Sequence, residues 1–347
     1  MSLSMENTKI DFVVTWVDSN DPNWQKDFRY YKNSSEDISD NSEARYRDWN
    51  LFHYWFRAVE ENAPWVNKVF LVTNGTFPKW INTEYPKLVL VRHEDYIPKE
   101  LLPTFNSHTI ELYMHKIPGL SEHFVYFNDD CYLNQPVESD YYFRGGLPCD
   151  RNKETVFNVA RYTPEDRFNT YISLLTTVSV INGHFSRPSV ISHSLRRWFG
   201  PHLGASGLLI SLLVTAYRFE RFVGFKTRHT EQPFLKSVFE EAWEKEPDML
   251  AKSCTRFRED VSLSPYFFRY WQLATNRFYP VSLKGIEKIQ IRKENVQQIA
   301  NALKSKKIKS LCLNDCHFCT SEDFVWINKM LQELLEKKFP RKSAFEK

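Results

Sequence analysis

Residues 123–130 read HFVYFNDD and give the sharpest local signal in the sequence. The aromatic and β-branched run His123–Phe127 is long enough for a buried strand, and it ends at once in polar residues. Two adjacent carboxylates, Asp129 and Asp130, therefore follow a predicted strand directly. In an open parallel sheet, ligands bind beyond the carboxyl ends of the strands. The same ending on neighbouring strands would indicate a binding site.

Three earlier segments show the same pattern of an apolar strand followed by polar residues. They are IDFVVTWV at Ile10–Val17, KVFLVT at Lys68–Thr73 and KLVLVR at Lys87–Arg92. Asp18 follows the first strand, Asn74 the second, and a His-Glu-Asp run at 93–95 the third. Four polar strand ends predict a site along one edge of a sheet.

Helical segments separate the predicted strands. Arg45–Asn62 carries apolar residues at helical spacing, and Asn106–Ile117 has Asn106 or Ser107 as N-cap and Pro118 as terminator. Strands that alternate with helices predict an α/β fold, in which a mostly parallel, Rossmann-like sheet is connected by crossover helices.

The second half of the chain predicts a change of structure. Strand signals fade between Thr163 and Phe222, and the apolar stretch Gly207–Tyr217 is predicted to be a buried helix within a helical insertion. A strand is expected again at Lys309–Leu313, with an amphipathic helix from Ser321. We expect residues 1–160 and 225–347 to form the two parts of one catalytic domain, and residues 161–224 to form the insertion.

Amino-acid composition, net charge and the length of apolar stretches exclude some classes of protein. The 347 residues are 42% hydrophobic and 26% charged, with a net charge of +3, as in a soluble globular protein and unlike a nucleic-acid-binding one. The longest apolar stretch is shorter than the ~20 residues of a membrane span, and the N-terminus lacks the pattern of a secretory signal. We therefore expect a cytoplasmic protein without a nucleic-acid partner. A basic cluster (Lys304, Lys306, Lys307 and Lys309) is either a solvated face or a weak contact with an anionic membrane surface.

The six cysteines are expected to be reduced thiols. Cys316 and Cys319 have the spacing of half a zinc site, but a structural zinc normally takes two such pairs and no second pair is present. We therefore do not predict a zinc site.

Asp129 and Asp130 allow two interpretations. The carboxylates can hold Mg²⁺ or Mn²⁺, which prefer carboxylate, phosphate and water oxygens. Alternatively, the residues after the strand form an Asx-turn and bind backbone only.

Two further segments carry residues suited to phosphate chemistry. Asn106, Ser107 and His108 lie in the first turn of a predicted helix, where free backbone N–H groups favour the binding of phosphate. Glu111 lies one helical turn farther along. The alternative is a capping box between His108 and Glu111. Farther on, His229 suits a general base and the arginines near residue 257 suit a phosphate clamp, although spacing does not separate His229 from the other histidines.

Long motifs in this order resemble the Stealth family of sugar-1-phosphate transferases, which includes bacterial capsular polysaccharide phosphotransferases. The motifs are IDFVVTWVDSNDPNW (10–24), RYRDWN (45–50), LPTFNSHTIE (102–111), YFNDDCYLNQPV (126–137), RHTEQPFLKSVFEEAW (228–243), CTRFREDV (254–261) and CLNDCHFC (312–319). The resemblance covers nearly the whole chain. It implies a GT-A-like sheet and transfer of a hexose- or N-acetylhexosamine-1-phosphate from a UDP-sugar to a hydroxyl of a glycan or lipid-linked oligosaccharide. UMP would be released, Mg²⁺ or Mn²⁺ would be required, and the enzyme would contact the inner membrane face peripherally.

The resemblance also implies roles for individual residues. Asp129 and Asp130 match the ligands of the metal and diphosphate, His229 the general base, and Arg258 the clamp on the transferred phosphoryl group. Glu111 and Asp18 match further catalytic groups. The substrate-binding positions are Asn106, His108, Arg47, Arg256, Asn314 and Asn74. Arg256 and Arg258 are close enough in sequence to exchange roles.

The chain departs from the family pattern at three points. Ser19 stands where many relatives have Gly, and the role of Asp18 is contested by Asp21. His53 replaces the usual Arg, so that one phosphate contact is in question. The competing functions are a metal-dependent glycosyltransferase that releases UDP, and a carbohydrate-binding module without chemistry.

Overall fold

A five-stranded sheet forms the centre of the molecule. The structure, a computed structural model, describes residues 8–33, 48–157, 165–227, 229–259, 261–315 and 321–347. The strands of this sheet are β1 (Ile10–Thr15), β2 (Val69–Thr73), β3 (Leu88–Arg92), β4 (His123–Asn128) and β8 (Gln232–Leu235). Their order is β3-β2-β1-β4-β8, and β8 alone among these five strands runs antiparallel to its neighbour. The prediction of an α/β fold with a mostly parallel sheet is confirmed.

The apolar runs form strands because both faces of the sheet are covered. Phe12, Val13 and Val14 of β1 are buried on alternating faces, and all five residues of β2 are buried. Burial on both faces is typical of parallel sheets with crossover helices. All four strands predicted in the first part of the chain are present, within two residues of the expected bounds.

Two smaller sheets join distant parts of the chain. One has the order β10-β11-β5 and contains β5 (Cys131–Leu133), β10 (Ile286–Gln290) and β11 (Ser310–Asn314). The other has the order β6-β7-β9 and contains β6 (Phe143–Arg144), β7 (Leu147–Asp150) and β9 (Tyr279–Pro280). Because β11 pairs with β5, directly after the acidic residues, the C-terminal part of the chain lies beside the end of β4.

Helices surround these sheets. They are α1 (Pro22–Asn33), α2 (Phe52–Asn62), α3 (Ser107–Leu112), α4 (Glu165–His184), α5 (Arg187–Ser192), α6 (Leu195–Trp198), α7 (Gly204–Ala216), α8 (Lys236–Lys245), α9 (Pro247–Ser253), α10 (Tyr266–Ala274), α11 (Val296–Lys304) and α12 (Ser321–Lys338). The predicted strand before residue 314 and the final helix are confirmed as β11 and α12.

Two predicted helices are shorter than expected. The helix predicted from residue 45 begins at Phe52, after Asn50 adopts a positive φ of 53°, a conformation that a helix cannot include. The helix predicted to end at Ile117 ends at Leu112, and a short 3₁₀ turn covers Met114–Lys116. The predicted N-cap is confirmed, since the Asn106 side chain accepts a hydrogen bond from the backbone N–H of His108.

The segment predicted to be helical contains α4–α7, but the prediction that Gly207–Tyr217 is buried is wrong. In α7 the buried residues are Gly207, Ser211 and Val214, whereas Leu209 and Leu212 are more than half exposed. Composition predicts that this stretch is helical and apolar, but burial depends on neighbouring elements that do not cover its outer face. The domain boundaries at 160 and 224 stay a prediction.

Candidate active site

Polar residues from four strands meet at the carboxyl edge of the central sheet. Asp18 and Asn74 follow β1 and β2, and Asn128 ends β4. The second sheet adds Asn314, because the backbone N–H of Leu313 donates to the carbonyl oxygen of Asp130 at 2.9 Å. The structure therefore brings Asn314 next to the acidic pair.

His229 lies against this edge, in the loop before β8. Its Nε2 is 3.2 Å from Nδ2 of Asn128 and 3.6 Å from Oδ2 of Asp130. The imidazole is 38% exposed and therefore accessible to a ligand. The antiparallel pairing of β8 with β4 explains this position, since it returns the chain to the end of β4. The structure thus separates His229 from the other histidines, which sequence spacing could not do.

A chain of hydrogen bonds leads from Asn128 into the protein. The Tyr126 hydroxyl lies 2.7 Å from Oδ1 of Asn128 and 2.8 Å from Oε1 of Glu111. Because Oδ1 of Asn128 faces the tyrosine, the Nδ2 amide group is presented to Nε2 of His229. An amide donor at this distance favours the imidazole tautomer with an unprotonated Nε2, the form that can accept a proton.

Glu111 is a buried carboxyl group within this chain. Burial raises the pKa of Glu111 to about 7, and the opposing influences of the Tyr126 hydroxyl, Arg258 and His229 do not fully offset it. Glu111 therefore exchanges its proton near neutral pH, at one end of the hydrogen-bond chain that reaches His229.

Asp130 is held by two thiols. The Sγ atoms of Cys131 and Cys312 donate to its two carboxylate oxygens at 3.3 Å each, and the two cysteines face one another across β5 and β11. Burial alone would raise the pKa of Asp130, but His229 and these thiols keep it below its usual value. Both cysteines are free thiols, as are Cys149 and Cys254, which confirms the expected state for the four described cysteines.

Asp129 is the more exposed residue of the acidic pair. Desolvation of its carboxyl group raises the pKa of Asp129 to about 7, and the negative charges of Asp130 and Asp48 add to this effect. Burial also raises the pKa of Asp48, and the charge of Asp18 adds to this effect. Asp18, Asp48 and Asp129 therefore form a group of mutually repelling carboxylates, an arrangement that a cation would stabilise.

Arg258 reaches the site through a segment that lies against the start of α3. Phe105 N–H donates to the carbonyl of Arg256 at 2.8 Å, and Thr109 Oγ1 donates to the carbonyl of Thr255 at 2.7 Å. The guanidinium of Arg258 donates to the Ser107 hydroxyl. Its charge also lowers the pKa of Glu111, which places Arg258 within electrostatic range of that group.

Arg256 points elsewhere. Its guanidinium donates to the carbonyls of Pro103 at 2.9 Å and Leu102 at 3.1 Å, and it stacks over the ring of Tyr31 at 4.2 Å. These contacts hold the segment before α3. The structure therefore distinguishes the two arginines, and it does not bring Arg256 to the acidic group as a substrate-binding residue.

Asn106 is fully buried, contrary to its predicted role as a substrate ligand. Its Oδ1 caps α3, and its Nδ2 donates to Thr255 Oγ1 at 3.2 Å and to the Phe257 carbonyl at 3.4 Å. These bonds occupy the side chain, so that Asn106 joins the two segments and positions Arg258. Asn106 therefore caps this turn in place of the capping box between His108 and Glu111, since the His108 N–H bonds Asn106 and Glu111 bonds Tyr126.

Three predicted positions have local contacts of their own. His108 Nδ1 lies 3.2 Å from the hydroxyl of Ser262, and Asn74 Oδ1 accepts the backbone N–H of Thr76 at 3.4 Å in a turn. Asp21 accepts from the Asn23 N–H at 2.9 Å at the start of α1 and from the Thr76 hydroxyl. Asp21 is thus a helix cap, and Asp18 is the aspartate that faces the carboxylate group.

Four further positions singled out in the sequence are Arg47, His53, Cys316 and Cys319. Arg47, Cys316 and Cys319 lie outside the described residues. His53 lies on α2, where burial lowers its pKa and its ring packs on Tyr54 at 4.0 Å.

Five residues that build the site had no role predicted from the sequence. They are Asp48, Tyr126, Asn128, Cys131 and Cys312. A signal for two of them was available, because Tyr126 and Asn128 are two apart on a strand and must share one face. The thiol pair carried no local signal, since its members meet only through the pairing of β5 with β11.

Three regions of one family match this chain. They are Stealth protein CR1, conserved region 1, at residues 8–36; Stealth protein CR2, conserved region 2, at residues 45–149; and Stealth protein CR4, conserved region 4, at residues 301–347. Among solved structures, the galactosyltransferase LgtC in complex with donor and acceptor sugar analogues matches with 9% identity over 94% of this chain and 95% of its own. Its TM-score is 0.37, too low to support a conclusion.

Relatives with assigned activities match over nearly their whole length. The capsular polysaccharide phosphotransferase WcwK of Streptococcus pneumoniae is 36% identical, over 97% of this chain and 99% of its own. The receptor polysaccharide phosphotransferase WefC of Streptococcus oralis is 38% identical over 97% and 99%. The exopolysaccharide phosphotransferase cps2G of Lactiplantibacillus plantarum is 36% identical over 97% and 96%. Similarity of this extent shows that the protein belongs to the Stealth family and is a transferase.

Proposed function

We propose that this enzyme transfers a hexose- or N-acetylhexosamine-1-phosphate from a UDP-sugar to a hydroxyl of a glycan or lipid-linked oligosaccharide. The acceptor oxygen attacks the phosphorus that carries the sugar. The bond from this phosphorus to the bridging oxygen breaks, a phosphodiester forms and UMP leaves. The names of the relatives support transfer of a phosphate-containing group to a polysaccharide.

The observation that carries the proposal is the position of His229 between Asn128 and Asp130. Nε2 of His229 lies 3.2 Å from the Asn128 amide and 3.6 Å from the Asp130 carboxylate, which stabilises the imidazolium that forms when a proton arrives. His229 is therefore the proposed base for the acceptor hydroxyl. Asp130 acts as a positioning residue, and the thiols of Cys131 and Cys312 fix its orientation.

Arg258 is the proposed clamp on the transferred phosphoryl group. Phosphoryl transfer depends mainly on alignment and on stabilisation of charge at the phosphoryl oxygens. An arginine offers planar, permanently charged donors for these oxygens. The interlocked segment that joins Asn106 to Thr255 and Phe257 keeps Arg258 beside Glu111 and Ser107.

The residues at the site fit Mg²⁺ or Mn²⁺. Asp129, Asp48 and Asp18 offer carboxylate oxygens, the ligand type that these ions prefer, and desolvation together with repulsion from neighbouring carboxylates raises the pKa of Asp129. When bound, the ion neutralises the charge of the diphosphate. Asp130 stays a candidate ligand besides its hydrogen bonds to the thiols, because its carboxylate and the Sγ atoms of Cys131 and Cys312 lie close enough together to hold a metal ion.

Identification of the released nucleotide tests the reaction. The purified protein is incubated with a panel of UDP-sugars, Mg²⁺ and a purified acceptor glycan. The nucleotide is then identified by anion-exchange chromatography and the product by ³¹P NMR. We expect UMP and a phosphodiester resonance, both absent with the His229→Ala variant. UDP together with a product lacking phosphorus would instead show a glycosyltransferase.

A further inference from the structure

Helix α7 exposes its large apolar side chains and buries its small ones. Leu209, Leu212 and Leu213 are 58%, 51% and 48% exposed, and their spacing places them on one face of the helix. The buried residues are Gly207, Ser211 and Val214. A surface helix in water shows the opposite pattern, with charged residues outward, whereas the sequence of α7 contains no charged residue. Exposed apolar faces of this kind mark interaction surfaces.

Further exposed apolar residues flank α7 in the sequence. Leu195 precedes it and is 58% exposed, and Tyr217 and Phe219 follow it with exposures of 78% and 48%. We call Leu209, Leu212, Leu213 and Tyr217, which follow one another at helical spacing, the apolar surface of the insertion.

The protein holds α7 firmly in this orientation. Arg187 is buried, pairs with Glu154 through two hydrogen bonds of 2.7 and 2.8 Å, and donates to the Ser211 carbonyl at 3.3 Å and the Thr215 hydroxyl at 3.1 Å. At the other end of α7, Lys153 Nζ donates to the Ser206 hydroxyl at 2.8 Å. Exposure of the leucines therefore belongs to the folded structure.

The segment Leu195–Ala216 has the length and composition of a membrane span, but its structure does not suit one. Pro201 lies inside it, and the side chains of Trp198 and Leu203 are buried in the protein. Helix α7 itself has 13 residues, fewer than the ~20 that cross a bilayer. The exposed leucines of α7 therefore offer apolar area to a membrane surface without crossing the bilayer.

The charges around α7 favour an anionic surface. Arg196, Arg218 and Arg221 are exposed, and Glu220 is the single acidic residue of the sequence between 195 and 221. Arginines beside an exposed apolar helix face complement a layer of anionic lipid headgroups, each contributing attraction near the surface.

We propose that the apolar surface of the insertion inserts into the interfacial layer of an anionic lipid bilayer and holds the enzyme against the membrane. This surface differs from the basic cluster at Lys304–Lys309 that the sequence suggested. The proposal does not depend on the transfer reaction, so that a failure of either one is recognised separately.

Vesicle flotation with the full chain tests the proposal. Wild-type protein is mixed with vesicles of phosphatidylcholine alone or with 30 mol% phosphatidylglycerol (roughly the anionic content that attracts basic segments). We expect flotation with the anionic vesicles and at least about tenfold weaker binding for the Leu209→Ser/Leu212→Ser/Leu213→Ser variant. The Arg218→Gln/Arg221→Gln variant should bind anionic vesicles at least about fivefold more weakly than wild type does. On vesicles of phosphatidylcholine alone it should not differ from wild type. The matched control, Lys306→Gln/Lys307→Gln, should bind like wild type.

Three results would overturn the proposal. They are absence of wild-type flotation, equal binding by the leucine variant, and a wild-type dimer that the leucine substitutions dissociate without any vesicle binding. Circular dichroism tests whether the leucine variant is folded. If it is unfolded, vesicle binding by the arginine variant tests the proposal. Nucleotide release in the absence of vesicles should be unchanged in the variants.

Discussion

The carboxyl edge of the central sheet buries ionisable side chains, whereas the outer face of α7 exposes apolar ones. At the sheet edge, ionisable groups such as Glu111 are buried, and specific hydrogen bonds to Tyr126 and its neighbours satisfy them. On α7, leucines face water without cover. Folded proteins normally bury apolar groups and expose charged ones, so that each departure needs a functional reason.

The two regions therefore suit two different kinds of partner, a phosphorylated substrate and a lipid surface. The sheet edge collects donors, acceptors and charges that suit a phosphorylated substrate, and its geometry is fixed by pairing between distant strands. The surface of α7 offers apolar area without directional groups, which suits a fluid, non-specific partner such as lipid. Substitutions in one region should therefore leave the function of the other intact.

The largest expected effect is on turnover. His229→Ala should lower kcat by about 10²- to 10⁴-fold, the usual range for removal of a general base, because the acceptor hydroxyl then keeps its proton. Turnover is measured as UMP release with a soluble acceptor. The triple leucine variant of α7 is the matched comparison and should keep wild-type turnover. Full activity of His229→Ala in a folded protein would remove this residue from the mechanism.

A smaller effect is expected on the pH dependence of stability. The folded protein raises the pKa of Glu111 from 4.5 to about 7, so that the folded state binds the proton more tightly than the unfolded state. The stabilisation is complete below about pH 4.5 and is lost as the pH rises through 7. Glu111→Gln carries no ionisable group. Relative to wild type, it should therefore gain up to about 3 kcal/mol of unfolding free energy between pH 5 and pH 8.

Urea unfolding of both proteins at the two pH values measures this difference. The change in the variant-minus-wild-type value isolates Glu111 from other groups that titrate in the same range. Glu94→Gln, at an exposed position, is the control and should show no such change. A variant-minus-wild-type value that is the same at both pH values would refute the assignment.

The smallest expected effects are those of substituting the two aspartates that follow β1, Asp18 and Asp21. Asp21→Ala should cost about 1 kcal/mol of stability, because it removes the N-cap of α1, the acceptor of the Asn23 N–H. Asp18→Ala should cost less, about 0.5 kcal/mol, because its carboxylate accepts the Asn20 N–H in a turn rather than at the start of a helix, and it should weaken Mn²⁺ binding. Urea unfolding and isothermal titration with Mn²⁺ measure the two quantities. The reverse result, with metal binding lost in Asp21→Ala alone, would exchange the assignments.

Several features of the fold follow from local sequence pattern. The four apolar runs in the first part of the chain became the four parallel strands, since a buried parallel strand requires apolar residues on both faces. Their polar ends then met at one edge because parallel strands share a direction. The Asn106 cap was also predictable, because an asparagine before a helical turn has a preferred backbone partner.

Contacts between distant segments decided the site and the surface. Asp18 and Asp21 are equivalent by local pattern, yet Asp21 caps α1 and Asp18 faces Asp48. Arg256 and Arg258 differ because one binds the carbonyls before α3 and the other reaches Ser107. Each choice depends on segments many residues away.

The amino-acid sequence by itself determined the parallel strands, the acidic residues that follow them and the apolar character of α7. Tertiary structure alone decided that His229 meets Asp130, that two thiols orient this carboxylate, and that the leucines of α7 face outward. The physical reason is that backbone conformation responds to near neighbours in the chain. Exposure and hydrogen-bond partners depend instead on which elements pack together, and pairing of β5 with β11 and of β4 with β8 sets that packing.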